Sequence, residues 1–199
     1  MYKSSLFVAA AACLLFSAPS FATDDLAAIV VTATRQASRA AELLSDITVI
    51  GREEIELAPQ DDLVSLLAAQ AGVQKTVNGS LGAASQIMLR GANGSHTLVL
   101  IDGQRVGSAT LGSFSWSRLP LAQIERIEIL RGPASSLYGS DAIGGVVQIF
   151  TRRGDGAPQL VAEVGAGSHG TSNANGSVTG SVGDLRYSLG ATTLRTKGF

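Results

Sequence analysis

The 199-residue sequence has few cysteines, few aromatic residues and little charge. Its one cysteine, Cys13, excludes a disulfide framework within the chain. The 15 basic residues are balanced by 16 acidic ones, so the basic surface expected of a nucleic-acid-binding domain is missing. Hydrophobic residues nevertheless make up 45% of the chain, which excludes a disordered tail and is sufficient for one modest core.

A long apolar run is also missing, because no stretch after residue 22 is long enough for a membrane-spanning helix. The first 22 residues begin with Lys3, continue with the apolar run 6–16 and end with small residues at Ser20 and Ala22. This order is typical of a secretory signal peptide, whereas the alternative, a membrane anchor, requires a longer apolar run. We therefore predict a signal peptide over 1–22, and membrane insertion of the remainder only by strands.

The most distinctive stretch is IERIEILRGPASSLYGSDAIGGVVQIFTRR, residues 124–153. Two apolar runs, 127–130 and 146–150, flank a loop rich in Gly, Pro, Ser and Asp. Both runs have the composition of buried strands, and Gly132-Pro133 and Gly144-Gly145 mark turns between them.

Residues 46–153 mix short helical and strand patterns. We predict helices over 52–57 and from Asp61 towards Gly72, with strands over 47–50, 73–77, 86–90 and 97–101. The segments 78–85, 91–96 and 104–117 have loop compositions, and Pro120 precedes a short helical turn. Together these elements predict an α+β domain with one small mixed sheet.

Beyond the linker 155–158 the pattern changes to strict alternation of apolar and polar residues. It occupies 160–167, 173–182 and the segment from Leu185 onward, with a short turn at Gly183-Asp184. Alternation over about ten residues per strand is typical of transmembrane β-barrels; a soluble sheet with one hydrated face is the alternative. Three strands cannot close a barrel, so we expect the chain to be part of a longer protein.

The run LRGPASSLYGSDAIGGVVQI resembles the segment that ends the plug domain of TonB-dependent outer-membrane receptors. Two upstream stretches also resemble that family, IMLRG at Ile87–Gly91 and TLVLIDG at Thr97–Gly103. The run RGANGSHTLVLIDG, Arg90–Gly103, is most similar to the branch that contains the vitamin B12 (cobalamin) receptor.

This resemblance implies an α+β plug domain over 46–153, preceded by a TonB box and linker over 23–45. It also implies that 154–199 begins a transmembrane barrel of about 22 strands, of which the chain holds three. The implied function is active import of cobalamin or a related corrinoid across the bacterial outer membrane. TonB and its inner-membrane energising complex would supply the energy, and the plug and TonB box would face the periplasm.

A ferric-siderophore receptor of the same family is the second hypothesis, and a passive or structural outer-membrane barrel is the third. Cobalamin or a ferric siderophore would be transported cargo, so no cofactor is expected. The resemblance allows calcium only on loops outside this chain. The partners expected are TonB, outer-membrane lipid and the small-molecule ligand, with no nucleic acid.

The apolar, β-branched run near residue 30 has no evident hairpin partner. One interpretation is an ordinary first strand; the resemblance implies a TonB box consisting of Ala28, Ile29, Val30, Val31, Thr32 and Ala33. An extended segment of this kind can add as a strand to the edge of a partner's sheet.

Polar and aromatic residues of the predicted outward loops are candidates for ligand contact, because they combine hydrogen-bonding groups with amphipathic rings. They are Asn78, Ser80, Asn93, Ser95, Ser108, Ser113, Phe114 and Trp116.

Two arginines, Arg90 and Arg131, follow predicted strands and precede glycine, and each requires an acidic partner if it is buried. Glu125 and Glu128 are candidate partners within the chain. The resemblance implies that acids of the barrel wall pair with the arginines and hold the plug in the pore.

No catalytic constellation is evident. The loop GSDAIGG, 139–145, lacks the Lys-Ser/Thr of a phosphate-binding loop, and Ser135 and Ser136 have no nearby histidine to act as base. His96 and His169 are far apart in the sequence and do not make a metal-site motif. We therefore predict a protein that is not an enzyme and has no metal site.

Overall fold

The computed structural model describes residues 29–30, 32, 34–39, 44–79, 83–107, 114–116 and 119–197. The predicted signal peptide lies outside these residues. The helices are α1 (Arg52–Leu57), α2 (Leu63–Ala68) and α3 (Ser135–Tyr138). The strands are β1 (Ile29–Val30), β2 (Ser38–Arg39), β3 (Asp46–Ile50), β4 (Val73–Val77), β5 (Ser85–Leu89), β6 (Thr97–Ile101), β7 (Gln104–Arg105), β8 (Ile124–Arg131), β9 (Gly145–Thr151), β10 (Gln159–Ala166), β11 (Ser172–Val182) and β12 (Leu185–Arg195).

A five-stranded mixed sheet in the order β3-β8-β9-β6-β7 forms the centre of the domain. Strand β8 pairs antiparallel with both β3 and β9, whereas β6 and β9 run parallel. The two strands of the 124–153 motif are therefore direct neighbours at the middle of the sheet. This confirms the predicted α+β domain with a mixed sheet, although β4 and β5 form a separate two-stranded sheet and the domain does not have one sheet only.

Each face of this sheet covers its own apolar core, because side chains alternate between the faces along each strand. Ile127, Ile129 and Ile149 point to the larger core, which is completed by helices α1 and α2. Leu130 and Val146 point to the smaller core on the opposite face. The central strands are thus buried on both sides, which explains their nearly continuous apolar sequence.

Helix α2 begins where the acidic pair of the sequence predicts. Asp62 is its N-cap, and the Asp62 side chain accepts a hydrogen bond of 2.9 Å from the Ser65 backbone N–H. Such a cap stabilises the exposed amide groups of the first turn. Leu63, Leu66 and Leu67 then point into the larger core, so the cap fixes the face that α2 packs on the sheet.

A second sheet of three antiparallel strands, β10-β11-β12, follows the linker. Its register places Leu160, Val178 and Leu189 side by side in one row. Leu160 is 80% exposed and Leu189 is 65% exposed, whereas Ser177 and Thr179 on the opposite face are buried. The predicted alternation of an apolar and a polar face is confirmed. None of the described helices is long and apolar enough to cross a membrane.

Three local expectations from the sequence are wrong. Strand β1 does have a hairpin partner, because Ile29 pairs with Arg39 and Val30 with Ser38. The predicted loop 104–117 begins with strand β7, which pairs with β6. The loop between β8 and β9 contains α3 and a 3₁₀ turn, Ser140–Ala142. Elements of two to four residues are too short to show a periodic pattern.

We predict that Gly145→Ala destabilises the central sheet. Gly145 has φ +145°, and a Cβ at this position would collide with the Leu130 carbonyl oxygen and lie 2.6 Å from Leu89 Cδ1. The free energy of unfolding should fall by at least about 2 kcal/mol, because strain and overpacking coincide. Hydrogen exchange of peptides from β8 and β9 should accelerate accordingly.

Gly176→Ala is the matched control, because Gly176 is a strand glycine of β11 with no atom within 4 Å of an added Cβ. It should leave exchange in β8 and β9 unchanged. Equal effects of the two substitutions would contradict a steric role for Gly145.

Candidate functional site

Strand β8 carries a polar cluster on each of its two faces. Glu128 and Arg131 are three positions apart, so they point to opposite sides of the sheet. The arginine cluster, on the side of the larger core, consists of Asp46, Thr48, Arg90 and Arg131. The Thr32 cluster, on the side of the smaller core, consists of Thr32, Glu128, Gln148 and Tyr138.

In the arginine cluster, two guanidinium groups share one carboxylate. Arg131 Nη1 lies 3.3 Å from Asp46 Oδ1 and donates to Thr48 Oγ1 at 2.8 Å, and Arg90 donates to the other Asp46 oxygen. The Arg131 side chain is only 5% exposed. Its aliphatic part lies beside Gly72, where an added Cβ would be in ordinary van der Waals contact with Arg131 Cδ at 3.5 Å. Arg131 is the last residue of β8 and Arg90 directly follows β5, so the strand-end positions predicted for both arginines are correct.

The prediction that Glu125 or Glu128 pairs with these arginines is wrong, since the carboxylate is that of Asp46. Glu125 is exposed and lies near the end of β8 opposite to Arg131, with its Oε2 3.9 Å from Arg152 Nε. Side chains an odd number of positions apart on a strand point to opposite faces of the sheet. Glu128 is three positions from Arg131, so the two side chains cannot meet.

The arginine cluster has an excess of positive charge. Two guanidinium groups face one carboxylate, and Arg131 Nε is buried with no hydrogen-bond partner among the described residues. A buried cation that lacks full compensation is costly. The cluster is therefore suited to accept one further acidic group.

The Thr32 cluster holds the N-terminal segment on the sheet. The Thr32 backbone N–H donates to Glu128 Oε2 at 2.9 Å, and the Thr32 hydroxyl lies 2.7 Å from the same oxygen. The Tyr138 hydroxyl donates to the Thr32 carbonyl oxygen at 2.9 Å. Thr32 and Glu128 are both 0% exposed. Three separate polar groups of one residue are thus engaged by the domain.

Gln148 completes this cluster. The Thr32 hydroxyl lies 3.1 Å from Gln148 Oε1, yet it has only one proton and already donates to Glu128. If the amide is turned over, Gln148 Nε2 donates to the hydroxyl and both contacts are hydrogen bonds. Arg126 supplies a positive charge to Glu128, with Nε 3.1 Å from Oε1, and its guanidinium stacks on Phe150 at 3.7 Å.

Tyr138 remains a hydrogen-bond donor over a wide pH range. Burial raises the pKa of its phenol above the usual 10.0, and the charge of Glu128 adds to this shift. Arg35, whose guanidinium lies 4.8 Å from the ring centre, opposes it. The neutral phenol that binds Thr32 is therefore the stable form at neutral pH.

Of the predicted TonB box, the structure describes Ile29, Val30 and Thr32; Ala28, Val31 and Ala33 lie outside the described residues. Of the predicted ligand residues, Ser80, Ser108 and Ser113 also lie outside them. Asn78, Asn93 and Ser95 are exposed, and the Asn93 side chain accepts from the Ser95 N–H at 3.1 Å.

The two predicted aromatic contacts differ in exposure. Trp116 is only 3% exposed and belongs to the larger core, and its ring meets that of the part-buried Phe114 edge-to-face, with 5.0 Å between centroids. The buried Trp116 ring can therefore offer a ligand only a small part of its surface. Nothing in the local sequence could have shown that the core reaches this residue.

A cavity of about 340 Å³ brings three of the predicted residues together, namely Ser95, Phe114 and Trp116. Gln86 and the ion pair between Arg105 and Asp141 also line it. Asn78 does not. Among the described residues, no three His, Cys, Asp or Glu side chains are grouped so as to hold a metal ion.

Comparison with known families decides what this domain is. Residues 39–146 match the family model of the TonB-dependent receptor plug domain, which is more than half of the chain. The chain belongs to this plug-domain family. The match covers the smaller core and all of the arginine cluster, and it ends within strand β9 of the central sheet.

Curated relatives of this plug domain include the vitamin B12 transporter BtuB of Photobacterium profundum. It is 39% identical over 98% of this chain, which corresponds to 32% of the relative. BtuB of Vibrio vulnificus is 36% identical over 90% of this chain and 30% of the relative. The chain thus spans about a third of the length of these relatives.

Solved structures with the same plug domain include siderophore receptors. PirA of Acinetobacter baumannii superimposes with a TM-score of 0.63 at 29% identity, covering 84% of this chain and 26% of that one. A variant of the ferric enterobactin receptor PfeA of Pseudomonas aeruginosa gives 0.64 at 27% identity, covering 85% and 26%. The plug family and its relatives are receptors and transporters, so the chain is not an enzyme.

We predict that Asp46→Asn destabilises the plug domain by about 1 to 3 kcal/mol, because it removes the carboxylate that both arginines share. The loss should be measurable as faster hydrogen exchange in β3 and at the end of β8. Glu125→Gln is the control, since Glu125 is exposed and 3.9 Å from its nearest cation. An equal effect of both substitutions would refute the importance of the cluster.

We also predict that Tyr138 ionises only above pH 10. Its folded pKa is raised, so the stability from its hydrogen bond is complete below the ordinary pKa and is lost as pH rises through the folded value. An ultraviolet difference titration of wild type against Tyr138→Phe should show a missing phenol that titrates above pH 10. A missing phenol that titrates below 10 would contradict this.

Proposed function

We propose that this chain is the N-terminal part of an outer-membrane active transporter. It binds cobalamin or a related corrinoid from outside and imports it with energy from TonB and its inner-membrane energising complex. The supporting observation is a plug domain joined directly to a sheet whose uncovered face is apolar.

The second sheet supports a location in the outer membrane. Leu160, Val164 and Leu189 are 80%, 87% and 65% exposed, and they share the face opposite to the buried Ser177 and Thr179. Contiguous apolar surface of this kind requires a cover, and lipid fits strands that alternate apolar-out and polar-in. Export by the predicted signal peptide accords with this location.

The polar face of the second sheet meets the plug domain. Gly190 of β12 lies against Gln123, because a Cβ there would be 2.5 Å from Gln123 Nε2. Gly190 is opposite Ser177 in the register, so this contact is on the buried face. This contact supports the proposal that the second sheet is part of a barrel wall that would surround the plug domain.

Cobalamin is the favoured cargo because the relatives aligned over nearly the whole chain are vitamin B12 transporters. A ferric siderophore is the second candidate, because the solved neighbours are siderophore receptors. The resembling run Arg90–Gly103 lies largely in strand β6 and the adjoining turns, so it bears on ancestry more than on cargo.

The plug would contribute only one side of the ligand site. Its cavity of about 340 Å³ is at the small end of the range for drug-sized ligands, and a corrinoid is larger than these. Asn78, Asn93, Ser95 and Phe114 are the exposed or part-exposed candidates for contact, whereas Trp116 supports Phe114 from below. The remaining contacts would come from outside this chain.

The arginine cluster would attach the plug to the barrel wall. Its excess positive charge fits an acidic side chain approaching Arg90, which is 53% exposed, while Arg131 is held inside by Asp46 and Thr48. A wall acid would thus complete a cluster that the plug leaves unbalanced. This role is the plug–barrel lock that the resemblance implies.

The N-terminal segment would be the point of contact with TonB. The segment contains β1, and a β-branched extended chain is suited to main-chain pairing with the edge of another sheet. A passive or structural barrel has no need of this segment or of a folded domain with two cores.

Deletion of residues 28–34 from the complete protein tests the function. Uptake of cyanocobalamin by cells should be abolished, because energy transfer needs the segment, whereas equilibrium binding in detergent should be unchanged, because the ligand residues are elsewhere. The wild type and deletion variant are compared in both assays, with a panel of ferric siderophores in parallel.

Unchanged uptake after the deletion would favour the passive barrel. Binding of a siderophore but not of cyanocobalamin would keep the transporter and change its cargo. Loss of both binding and uptake would show that the deletion disrupts the domain, which hydrogen exchange of β8 and β9 would reveal.

A further inference from the structure

We propose that Arg195 and Lys197 form a binding site for the phosphorylated head group of a lipid in the outer leaflet of the bacterial outer membrane. The proposal rests on the function above, because it assumes that the second sheet is in contact with lipid. It goes beyond that function, since it assigns a ligand to the wall rather than to the plug. The site is built from one end of strand β12 and from the hairpin tip 167–171, which joins β10 to β11.

The hairpin tip lies at the end of the second sheet that would face outward. The turn between β11 and β12 consists only of Gly183-Asp184, whereas the tip spans 167–171. Outer-membrane barrels have short turns on the periplasmic side and longer loops outside. The plug domain also joins the sheet near the short turn, since a Cβ added to Gly154 would collide with the Gly180 backbone. Arg195, the last residue of β12, is therefore at the outward end.

Arg195 ends the apolar face of the second sheet. It is an even number of positions from Leu189 along β12, so both side chains are on the face that would meet lipid. Leu185 begins the same face at the other end of the strand. The two ends are about 33 Å apart along the strand, or about 25 Å across the membrane at a tilt of about 40°, which matches the apolar band of such barrels. Arg195 thus falls at the outer boundary of the hydrocarbon, where a guanidinium group can reach the lipid head groups.

Lys197 is held in place by the hairpin tip. Its backbone N–H donates to the His169 carbonyl oxygen at 3.1 Å, and its aliphatic stem lies over Gly170, where an added Cβ would be 3.2 Å from Lys197 Cδ. The hydroxyl oxygens of Thr171 and Thr196 lie 3.0 Å apart. His169 and Gly170 have φ values of 56° and 63°, as a tight two-residue turn requires. The cation is thus carried by a braced turn, so less conformational freedom is lost when it binds a ligand.

The positive charge of this corner is not compensated within the second sheet. Strands β10 to β12 and their turns contain two acidic residues, Glu163 and Asp184. Glu163 is three positions from Leu160 and so points to the opposite face, and Asp184 is in the short turn at the other end of the sheet. Phosphate groups in a lipid head group would supply the missing negative charge and accept hydrogen bonds from the guanidinium and ammonium groups.

A lipid fits the site better than a free anion does. Its head group would meet the two cations while its acyl chains cover the apolar rows of the same face, which include Val164 and Leu189 at 87% and 65% exposed. A free phosphate ion would gain only the polar contacts, for which water competes. Each cation near an anionic lipid surface raises affinity about fivefold.

Binding of bisphosphorylated lipid A to the complete protein in detergent tests the proposal. Retention of the lipid is measured by native mass spectrometry over a range of lipid concentrations. A double variant with Arg195→Gln and Lys197→Gln should bind about 25-fold more weakly than the wild type, because each cation contributes about fivefold. Arg195→Lys should lose less affinity than Arg195→Gln, because it keeps the charge.

Arg186→Gln is the matched control, because Arg186 is a cation at the opposite end of the same strand, with its Nε 3.2 Å from Asp155 Oδ1. It should leave lipid binding unchanged. Dephosphorylated lipid A should bind the wild type no more tightly than bisphosphorylated lipid A binds the double variant. Equal lipid binding in wild type and double variant, or an equal loss in Arg186→Gln, would overturn the proposal.

Inorganic phosphate separates a lipid site from a site for the free anion. Added at the concentration of the lipid phosphate, it should not displace lipid A, and displacement would overturn the lipid assignment. Thermal unfolding followed by circular dichroism should be the same in wild type and double variant. If the double variant does not fold, Arg195→Gln and Lys197→Gln alone should each lose about fivefold, and no loss in either would overturn the proposal. A wild type that binds lipid A but not cyanocobalamin would refute the cargo proposed above and leave the lipid site standing.

Discussion

The domain depends on the compensation of two charged side chains that strand β8 buries on opposite faces. Glu128 is paired with Arg126 and accepts hydrogen bonds from Thr32, and Arg131 is paired with Asp46 and donates to Thr48. A buried charge without partners would cost more than most single interactions in a domain contribute. The requirement therefore links β8 to the edge strand β3 on one face and to the N-terminal segment on the other.

Sequence patterns predicted the parts of the fold that contain regular periodicity. The apolar runs of β8 and β9, the cap at Asp62 and the alternation of β10 to β12 all appear at or within a few residues of their predicted positions. The sequence did not show that Ile29–Val30 pairs with Ser38–Arg39, because two-residue strands have no period. The pairing of such short strands depends on tertiary contacts more than on intrinsic propensity.

The candidate sites were predicted less completely, since they depend on which residues meet across the sheet. Asp46 was not anticipated as the partner of the arginines, although its place at the start of an edge strand follows once β3 is paired with β8. The three-residue spacing of Glu128 and Arg131 was visible in the sequence. On a strand this spacing places the two side chains on opposite faces, so it would have assigned them to different clusters. The burial of Trp116 could not be predicted from the sequence, because it depends on contacts with residues far away in the chain.

The loop between β8 and β9 connects two of the features described. Asp141 on its 3₁₀ turn pairs with Arg105 at the cavity, and Tyr138 on α3 binds Thr32. The Ala134 N–H donates to the Ala142 carbonyl at 2.9 Å and ties the two turns together. Displacement of this loop would therefore alter the lining of the cavity and the contacts of the N-terminal segment together.

The position of Asp46 makes the charge at this end of the domain depend on whether β3 is paired with the sheet. An edge strand has one neighbour and is the part of a sheet most easily detached. Asp46 is the only carboxylate that the described residues place against Arg90 and Arg131. If β3 leaves the sheet, this end of the domain changes from one uncompensated positive charge to two. The electrostatic potential near Arg90 and Arg131 would then be more positive whenever β3 is detached. A charged group within about one Debye length could sense this difference without touching the strand.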